Sequence, residues 1–434
     1  MQLYSTNDPS LRATLREAIF QGLPADNGLY MPVQIPVLPG DFIARLDRYP
    51  FTEIAFTIAR ALIGDEIPAN DLHTIIERAI DFPAPVISLD RQTHVLELFH
   101  GPSLAFKDFG ARFMAQTMAY FNRNENEPLT ILVATSGDTG GAVAAGFYQA
   151  PGIRVVILYP SGKVSALQEK QLTTLGHNIT ALEVAGSFDD CQAIVKQAFL
   201  DAELRQSLRL SSANSINISR LIPQVFYYWE SYKQAAQFGE NIVFVVPSGN
   251  FGNLTAGLLA KHMGLPVAHF VAATNANDVV PEYLDTGAFQ PRASIRTLSN
   301  AMDVGNPSNF ARMLDMYGST WNIMKRYISG FSSSDTQTRE AMQNVYAQFN
   351  YILDPHGAVG YLAWKAYQQL HPQATGVILE TAHPAKFLED VKSILATGIP
   401  IPDALANLRT KEKVAVEMPA DYRAFKNWLQ DTYR

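Results

Sequence analysis

Thr130-Ile131-Leu132-Val133-Ala134-Thr135-Ser136-Gly137-Asp138-Thr139-Gly140-Gly141 decides the fold class. Its first five residues read as a short buried strand. Hydroxyls, an aspartate and glycines follow, and a helical pattern resumes behind them. The same texture returns at Val155–Tyr159, Ile179–Val184, Ile242–Val246, Ala268–Ala273 and Gly376–Glu380. Strand, polar loop and helix repeated this often predict mainly parallel sheets with helices on both faces. In such sheets ligands sit beyond the carboxyl ends of the strands, so the loops after them are where chemistry is expected.

Outward from this region the texture changes. Residues 1–95 read as mostly helical. Ile54, Ala55, Ile58, Ala59 and Leu62 form one helical stripe, and Leu72, Ile75, Ile76 and Ile80 form another. Pro83 and Pro85 punctuate the chain and predict a domain boundary near residue 95. Residues 275–350 mix Asn, Pro and Ser with aromatics and read as an insertion. The tail around Lys411, Glu412 and Lys413 reads as a solvated exit.

Composition bounds the function. The 434 residues are 47% hydrophobic and 17% charged, enough apolar material for two or three cored domains and poor material for disorder. Net charge is 34 − 41 = −7 with no long block of one sign, which argues against a nucleic-acid partner. Cys191 is the single cysteine, which excludes an internal disulfide framework and a thiolate metal cluster and fits a reducing compartment. Met1–Ser10 is polar, and the apolar runs are far short of the ~20 residues a membrane helix needs. The expectation is a cytoplasmic protein with no membrane partner.

Four loops carry possible chemistry. Ser248-Gly249-Asn250-Phe251-Gly252-Asn253 joins a strand to the helical run Leu254–His262. Backbone N–H groups and a helix N-terminus there would make a phosphate cup, or simply a tight turn with an Asn cap. Thr135–Gly141 offers hydroxyls and N–H groups to a carboxylate or phosphate, or a capped βα turn. Lys107, in Phe99-His100-Gly101-Pro102-Ser103-Leu104-Ala105-Phe106-Lys107-Asp108-Phe109, heads a helix with the apolar stripe Phe109, Phe113, Met114, Thr117 and Phe121. A lysine in that setting has a depressed pKa and a nucleophilic neutral amine; the bland reading is a lysine that snorkels to the surface. Thr381-Ala382-His383-Pro384-Ala385-Lys386-Phe387 places a hydroxyl and an imidazole at another strand end.

His100, His356 and His383 are scattered and form no metal-ligand pair, so no metal is expected. A Gly-x-Ser-x-Gly nucleophile elbow is missing, which weakens a serine-hydrolase reading. Taken together the loops ask for one ligand. It carries a phosphate for the glycine cup, a carbonyl for Lys107, a ring atom for a hydroxyl and a carboxylate for the Ser136 loop. Pyridoxal 5′-phosphate holding an amino acid meets all four demands.

On these motifs the chain resembles the threonine synthase family of fold-type-II pyridoxal-phosphate enzymes. Leu98–Asp108 looks like its cofactor-lysine motif, Thr135–Gly140 like its substrate-carboxylate loop, and Pro247–Asn253 like its phosphate cup. The similarity runs from Gln21-Gly22-Leu23 to Phe387, nearly the whole chain. It implies an α/β architecture with two mainly parallel open-sheet domains behind a mostly helical N-terminal domain. Residues 1–95 would be that helical domain, as in the longer bacterial and fungal branch. Residues 96–110 and 241–434 would form the large cofactor-binding domain and 111–240 the smaller one. The implied reaction converts O-phospho-L-homoserine and water to L-threonine and phosphate.

The resemblance also assigns residues. Lys107 would hold the cofactor as an imine and then move protons as the catalytic group. Gly249, Asn250, Phe251, Gly252, Asn253, Thr381 and Asp138 would bind the cofactor, with the Thr381 hydroxyl at the pyridine nitrogen. Thr135, Ser136, Gly137, Thr139, Asn214, Ser215, Arg220 and Lys163 would bind substrate, with Arg220 and Lys163 on its phosphate. Many fold-type-II enzymes carry Asn where this chain has Asp138, so Asp138 would need a different proton arrangement at the cofactor's 3′-oxygen. The longer branch implies a monomer. A phospho-lyase releasing 2-oxobutyrate and a non-catalytic binding protein of the same fold are the alternatives.

Overall fold

The computed structural model describes residues 1–433. Its strands are β1 (Gln2–Ser5), β2 (Arg12–Thr14), β3 (Tyr30–Pro32), β4 (Val86–Ser88), β5 (Thr93–Glu97), β6 (Leu129–Ala134) and β7 (Ile153–Pro160). They continue with β8 (Ile179–Ala185), β9 (Arg209–Ser212), β10 (Ile242–Pro247), β11 (His269–Thr274), β12 (Ile328–Ser332), β13 (Thr375–Glu380) and β14 (Val416–Pro419). All six strands expected from the sequence are present within two residues of their predicted ends.

These strands form three sheets. A six-stranded sheet runs β12-β11-β10-β13-β5-β4, parallel except for β4 against β5. A five-stranded, fully parallel sheet runs β14-β8-β7-β6-β9. Strands β6, β10 and β13 are buried along their whole length. That is why they read as continuous apolar runs rather than alternating ones. The α/β class with two parallel sheets stands.

The N-terminal segment carries its predicted helices, Phe51–Ile63 and Ala69–Ala79, with Ile54, Ile58, Leu62, Leu72, Ile75 and Ile76 buried. It also holds a small antiparallel sheet, β2-β1-β3, that the helical reading passed over. These strands are three or four residues long, too short for a period-2 pattern to stand out.

Three boundary expectations need correction. The six-stranded sheet begins at Val86, so β4 and β5 lie in it and the boundary near residue 95 comes too late. Residues 275–350 are not a plain insertion, since β12 pairs with β11 and is the edge strand of that sheet. The tail is not a solvated exit of the large domain. Strand β14 pairs with β8 of the five-stranded sheet, and the helix Tyr422–Tyr433 buries Phe425 and Leu429 beside Cys191, Ile194 and Val195. The end of the chain therefore completes the smaller body that residues 129–212 build.

Phe425→Ala should lower stability by about 3–5 kcal/mol, the usual cost of emptying a core phenylalanine site. A urea titration reads this as an earlier transition. A shift below ~0.5 kcal/mol, typical of a surface change, would return the tail to solvent.

Candidate active site

The register of β13 on β5 sets Glu380 beside Glu97, so the loops after both strands leave the sheet together. There they zip. The Phe106 N–H donates to the Thr381 carbonyl at 2.8 Å, the His383 N–H donates to the Leu104 carbonyl at 3.0 Å, and Ala105 bridges Ala382. Lys107, the next residue, opens the helix Lys107–Asn122, whose buried side includes Phe109, Phe113, Met114 and Thr117. The zipper thus brings the lysine motif and the Thr381 segment into one site. The Thr381 hydroxyl has no protein partner among the described residues, which leaves it free for a ligand.

Lys107 is shielded but not sealed, with 17% of its side chain exposed. Loss of water pushes its pKa down. Asp138 opposes the fall, while Lys386 and Arg220 add to it. Asp138 opens the helix Asp138–Phe147 after β6. Its Oδ2 lies 3.7 Å from Lys107 Nζ, and its Oδ1 accepts from Lys386 Nζ at 2.7 Å and from Gln168 Nε2 at 2.9 Å. Burial alone would raise the Asp138 carboxyl. The two ammonium groups and the hydrogen bonds outweigh it and hold the group well below the usual carboxylate range.

In the Ser136 loop, Gly137 has φ +144°, a conformation open to glycine, and a Cβ there would strike the Gln168 amide at 2.9 Å. Ser136 is exposed and Thr139 half-buried. Thr135 turns inward. Its hydroxyl oxygen accepts from the N–H groups of Gly137 at 3.0 Å and Gly140 at 2.8 Å. The hydroxyl thus shapes the loop, because two orphan helix-entry donors claim its oxygen.

Across the site β10 runs into Ser248–Phe251 and the helix Gly252–His262. Phe251, not a glycine, takes the left-handed conformation at φ +59°. A Cβ on Gly249 would meet the Ala301 carbonyl oxygen at 2.6 Å and Met302 Cα at 2.8 Å, so this glycine serves packing. A Cβ on Gly252 would meet nothing nearer than Asn309 Nδ2 at 3.4 Å. Asn253 faces into the loop, accepting from the Ser248 hydroxyl at 2.9 Å and donating to the Pro247 carbonyl at 2.8 Å. The Asn250 side chain bridges Ser215 Oγ at 2.6 Å and the Ser308 N–H at 2.6 Å. The side chains of Asn253 and Asn250 therefore brace the loop.

Arg220 is buried in the helix Ile218–Ala235, next to the Asn214–Ser215 turn. Its Nη1 donates to the Ala213 carbonyl at 2.6 Å, its Nε has no partner, and no carboxylate pairs with it among the described residues. Burial pushes its pKa down to about 10, with Asp108 opposing. Lys163 is exposed, and its charge is felt by Asp190 and Cys191 at the start of another helix.

Four residues escaped the sequence reading as site residues. Lys386 and Gln168 bracket Asp138. Asn309 has a buried Nδ2 without a partner, and its Oδ1 accepts from Arg312 Nη1 at 2.7 Å. Arg312 is fully buried on the Tyr30 and Ile216 carbonyls. One signal was available: Ala-Lys-Phe at Lys386 is the same lysine-among-apolars pattern that marked Lys107.

An acidic protein has here collected buried cations, an unpartnered amide donor and a helix N-terminus. That set fits a phosphate-bearing ligand with an electrophilic carbonyl at Lys107.

Comparison with known proteins agrees. Residues 82–381 match the family of pyridoxal-phosphate dependent enzymes, residues 2–80 the threonine synthase N terminus, and residues 357–429 the threonine synthase C-terminal region. The chain is 45% identical to threonine synthase of Escherichia coli K12 over 99% of its own length and 100% of that protein's. It is 47% identical to the enzyme of Haemophilus influenzae, covering 99% of each. The chain belongs to the threonine synthase family. A PLP-bound threonine synthase from Brucella melitensis superposes with a TM-score of 0.94 at 33% identity, covering 100% of both chains. As a family member the chain is a pyridoxal-phosphate-dependent lyase of amino-acid biosynthesis, and pyridoxal 5′-phosphate is its cofactor. No helix among the described residues is long and apolar enough to cross a membrane.

The two glycines of the cup should separate under substitution. Gly252→Val should weaken cofactor affinity in an absorbance titration while shifting the melting temperature little. Gly249→Val should lower the melting temperature, since backbone at 2.6 Å must move. The reverse pattern would move the phosphate site.

Proposed function

We propose that this chain converts O-phospho-L-homoserine and water to L-threonine and phosphate. The observation that carries the reading is Arg220, a buried guanidinium that pairs with no carboxylate among the described residues and whose charge helps to lower the pKa of Lys107. Such a cation calls for an anion from outside, and a guanidinium suits a phosphate oxygen pair. Identity to threonine synthases over the full chain supports the same substrate.

Residue roles follow from what each group can reach. Lys107 would hold the cofactor's aldehyde carbon, and once displaced by the substrate amine its neutral form would carry protons at the substrate's Cα and Cβ. When bound, the cofactor supplies an electron sink for the carbon centres next to the amine. Ser136, Gly137 and Thr139 would receive the substrate carboxylate at the entrance of the Asp138–Phe147 helix. Arg220, with Asn214 and Ser215 beside it, would hold the phosphate as it leaves Cγ. The N–H groups of Gly249–Gly252 and the Asn309 amide would hold the cofactor phosphate. The Thr381 hydroxyl would donate to the ring nitrogen without protonating it. We place the enzyme in the cytoplasm as a monomer, on the family resemblance and a lone buried thiol at Cys191.

The deciding assay incubates holoenzyme with O-phospho-L-homoserine and measures phosphate and threonine together. Equal release of both is expected; phosphate with 2-oxobutyrate would identify a phospho-lyase instead. Arg220→Ala should keep the protein–cofactor absorbance and lower kcat/KM by ~2–5 kcal/mol, the cost of truncating one partner of a buried charge pair. Loss of cofactor affinity would place Arg220 on the other phosphate.

Thr381→Asp tests the ring contact, because a carboxylate favours a protonated nitrogen. Its cofactor spectrum should shift and threonine output should fall, while Thr381→Ser stays mild. A native spectrum in Thr381→Asp would reduce Thr381 to a turn cap.

A further inference from the structure

Among the described residues Lys386 is the one fully buried ammonium that the proposed roles leave unused. It sits in the short turn Pro384–Phe387 with none of its side chain exposed. Its Nζ donates to Asp138 Oδ1 at 2.7 Å and to the Ser103 carbonyl at 2.8 Å. Burying an ammonium costs several kcal/mol unless it is paired, so this arrangement exists only because Asp138 answers it.

Asp138 has two cations to serve and does so unequally. Oδ1 takes both close donors, Lys386 and Gln168, whereas Lys107 stands 3.7 Å from Oδ2, outside hydrogen-bonding distance. Lys107 therefore feels two like charges, Lys386 and Arg220, against one carboxylate that is already engaged. The other ionisable neighbours of Lys386 are Asp108, whose buried carboxyl is pushed up to about 6 mainly by burial, and His383, whose imidazole is pushed down to about 4 for the same reason.

We propose that Lys386 is a positioning residue for Lys107: by taking the closer hold on Asp138 it weakens that carboxylate's pairing with Lys107 and makes Lys107 the amine that is free to react. The proposal rests on the cofactor reading above. The reaction it controls is balanced simply. The neutral Lys107 amine adds to the cofactor aldehyde, a carbon–nitrogen double bond forms, and water leaves. Only the unprotonated amine can begin it. The corollary is that Lys386 is required because position 138 carries a charge; with a neutral residue there, the requirement disappears.

The test uses the full chain stripped of cofactor. The rate at which Lys107 captures pyridoxal 5′-phosphate is followed by absorbance across pH, with borohydride reduction and mass spectrometry locating the bond. In Lys386→Met the Asp138 carboxylate turns to Lys107 and a like charge is gone. The midpoint of the pH profile should rise by about one unit, a roughly tenfold slower capture at neutral pH. Asp138→Asn should move the midpoint below that of the parent. The double variant Asp138→Asn/Lys386→Met, which loses one charge of each sign, should return close to the parent, and Lys386→Arg should stay near it. A Lys386→Met profile that overlays the parent's, or a double variant that behaves like Lys386→Met, overturns the proposal. If Lys386→Met does not fold, an Asp138→Asn profile that overlays the parent's overturns it equally. Failure of the parent itself to capture cofactor at Lys107 would instead strike the cofactor reading.

Discussion

The site depends on the two backbone hydrogen bonds that zip Leu104–Phe106 to Thr381–His383. Parallel pairing of β5 and β13 aligns the exits of two strands whose sequences are nearly three hundred residues apart. The zipper then converts that alignment into a fixed distance between the helix start at Lys107 and the turn that holds Thr381 and Lys386. A parallel sheet can do this because every strand ends on the same edge, so loops from distant parts of the chain meet there. The glycine loop after β10, the strand beside β13, joins by the same rule, whereas the Ser136 loop follows β6 of the other sheet and meets the site through Asp138.

Electrostatics supply the second constraint. The protein is acidic overall, yet the site gathers Lys107, Lys386, Arg220 and Arg312 around two buried carboxylates, Asp108 and Asp138, and among the described residues only Asp138 forms ion pairs with them. Buried cations without counter-ions are costly, and a binding site is where such a cost can be offset by a ligand. The proposed cofactor and substrate together carry two phosphates and a carboxylate, which would match the deficit in sign. The shortage of counter-charge also leaves one ammonium poorly held, and the distances single out Lys107 as that group.

Much of this was legible in the chain. Strands β6, β7, β10, β11 and β13 showed as mostly apolar runs because both their faces are covered, and β8, half-buried at Thr180 and Glu183, showed as a β-rich run. The loops after them showed through glycine, hydroxyl and lysine at strand ends, and Lys107, Arg220, the Ser136 loop and the glycine cup were all marked by local residue type. Local composition misled where side chains serve the loop itself. Thr135 and Asn253 look like ligand groups, but backbone donors and acceptors within their own turns claim them. Gly249 looks like a phosphate glycine, and its lack of a side chain also answers to the close approach of Ala301 and Met302.

What the sequence by itself determined is the set of elements and the chemistry each loop carries, because both follow from patterns within about a dozen residues. Only the tertiary structure decided who shares a charge with whom. Asp138, Gln168 and Lys386 come from separate segments, and their bonding is fixed by how the smaller sheet and the β13 turn approach each other. It likewise decided that the charge of Lys163 bears on Asp190, and that β14 and the last helix close the smaller sheet. A charge's partner and a strand's neighbour are long-range facts, set by packing after the chain has folded back on itself, and no local pattern records them.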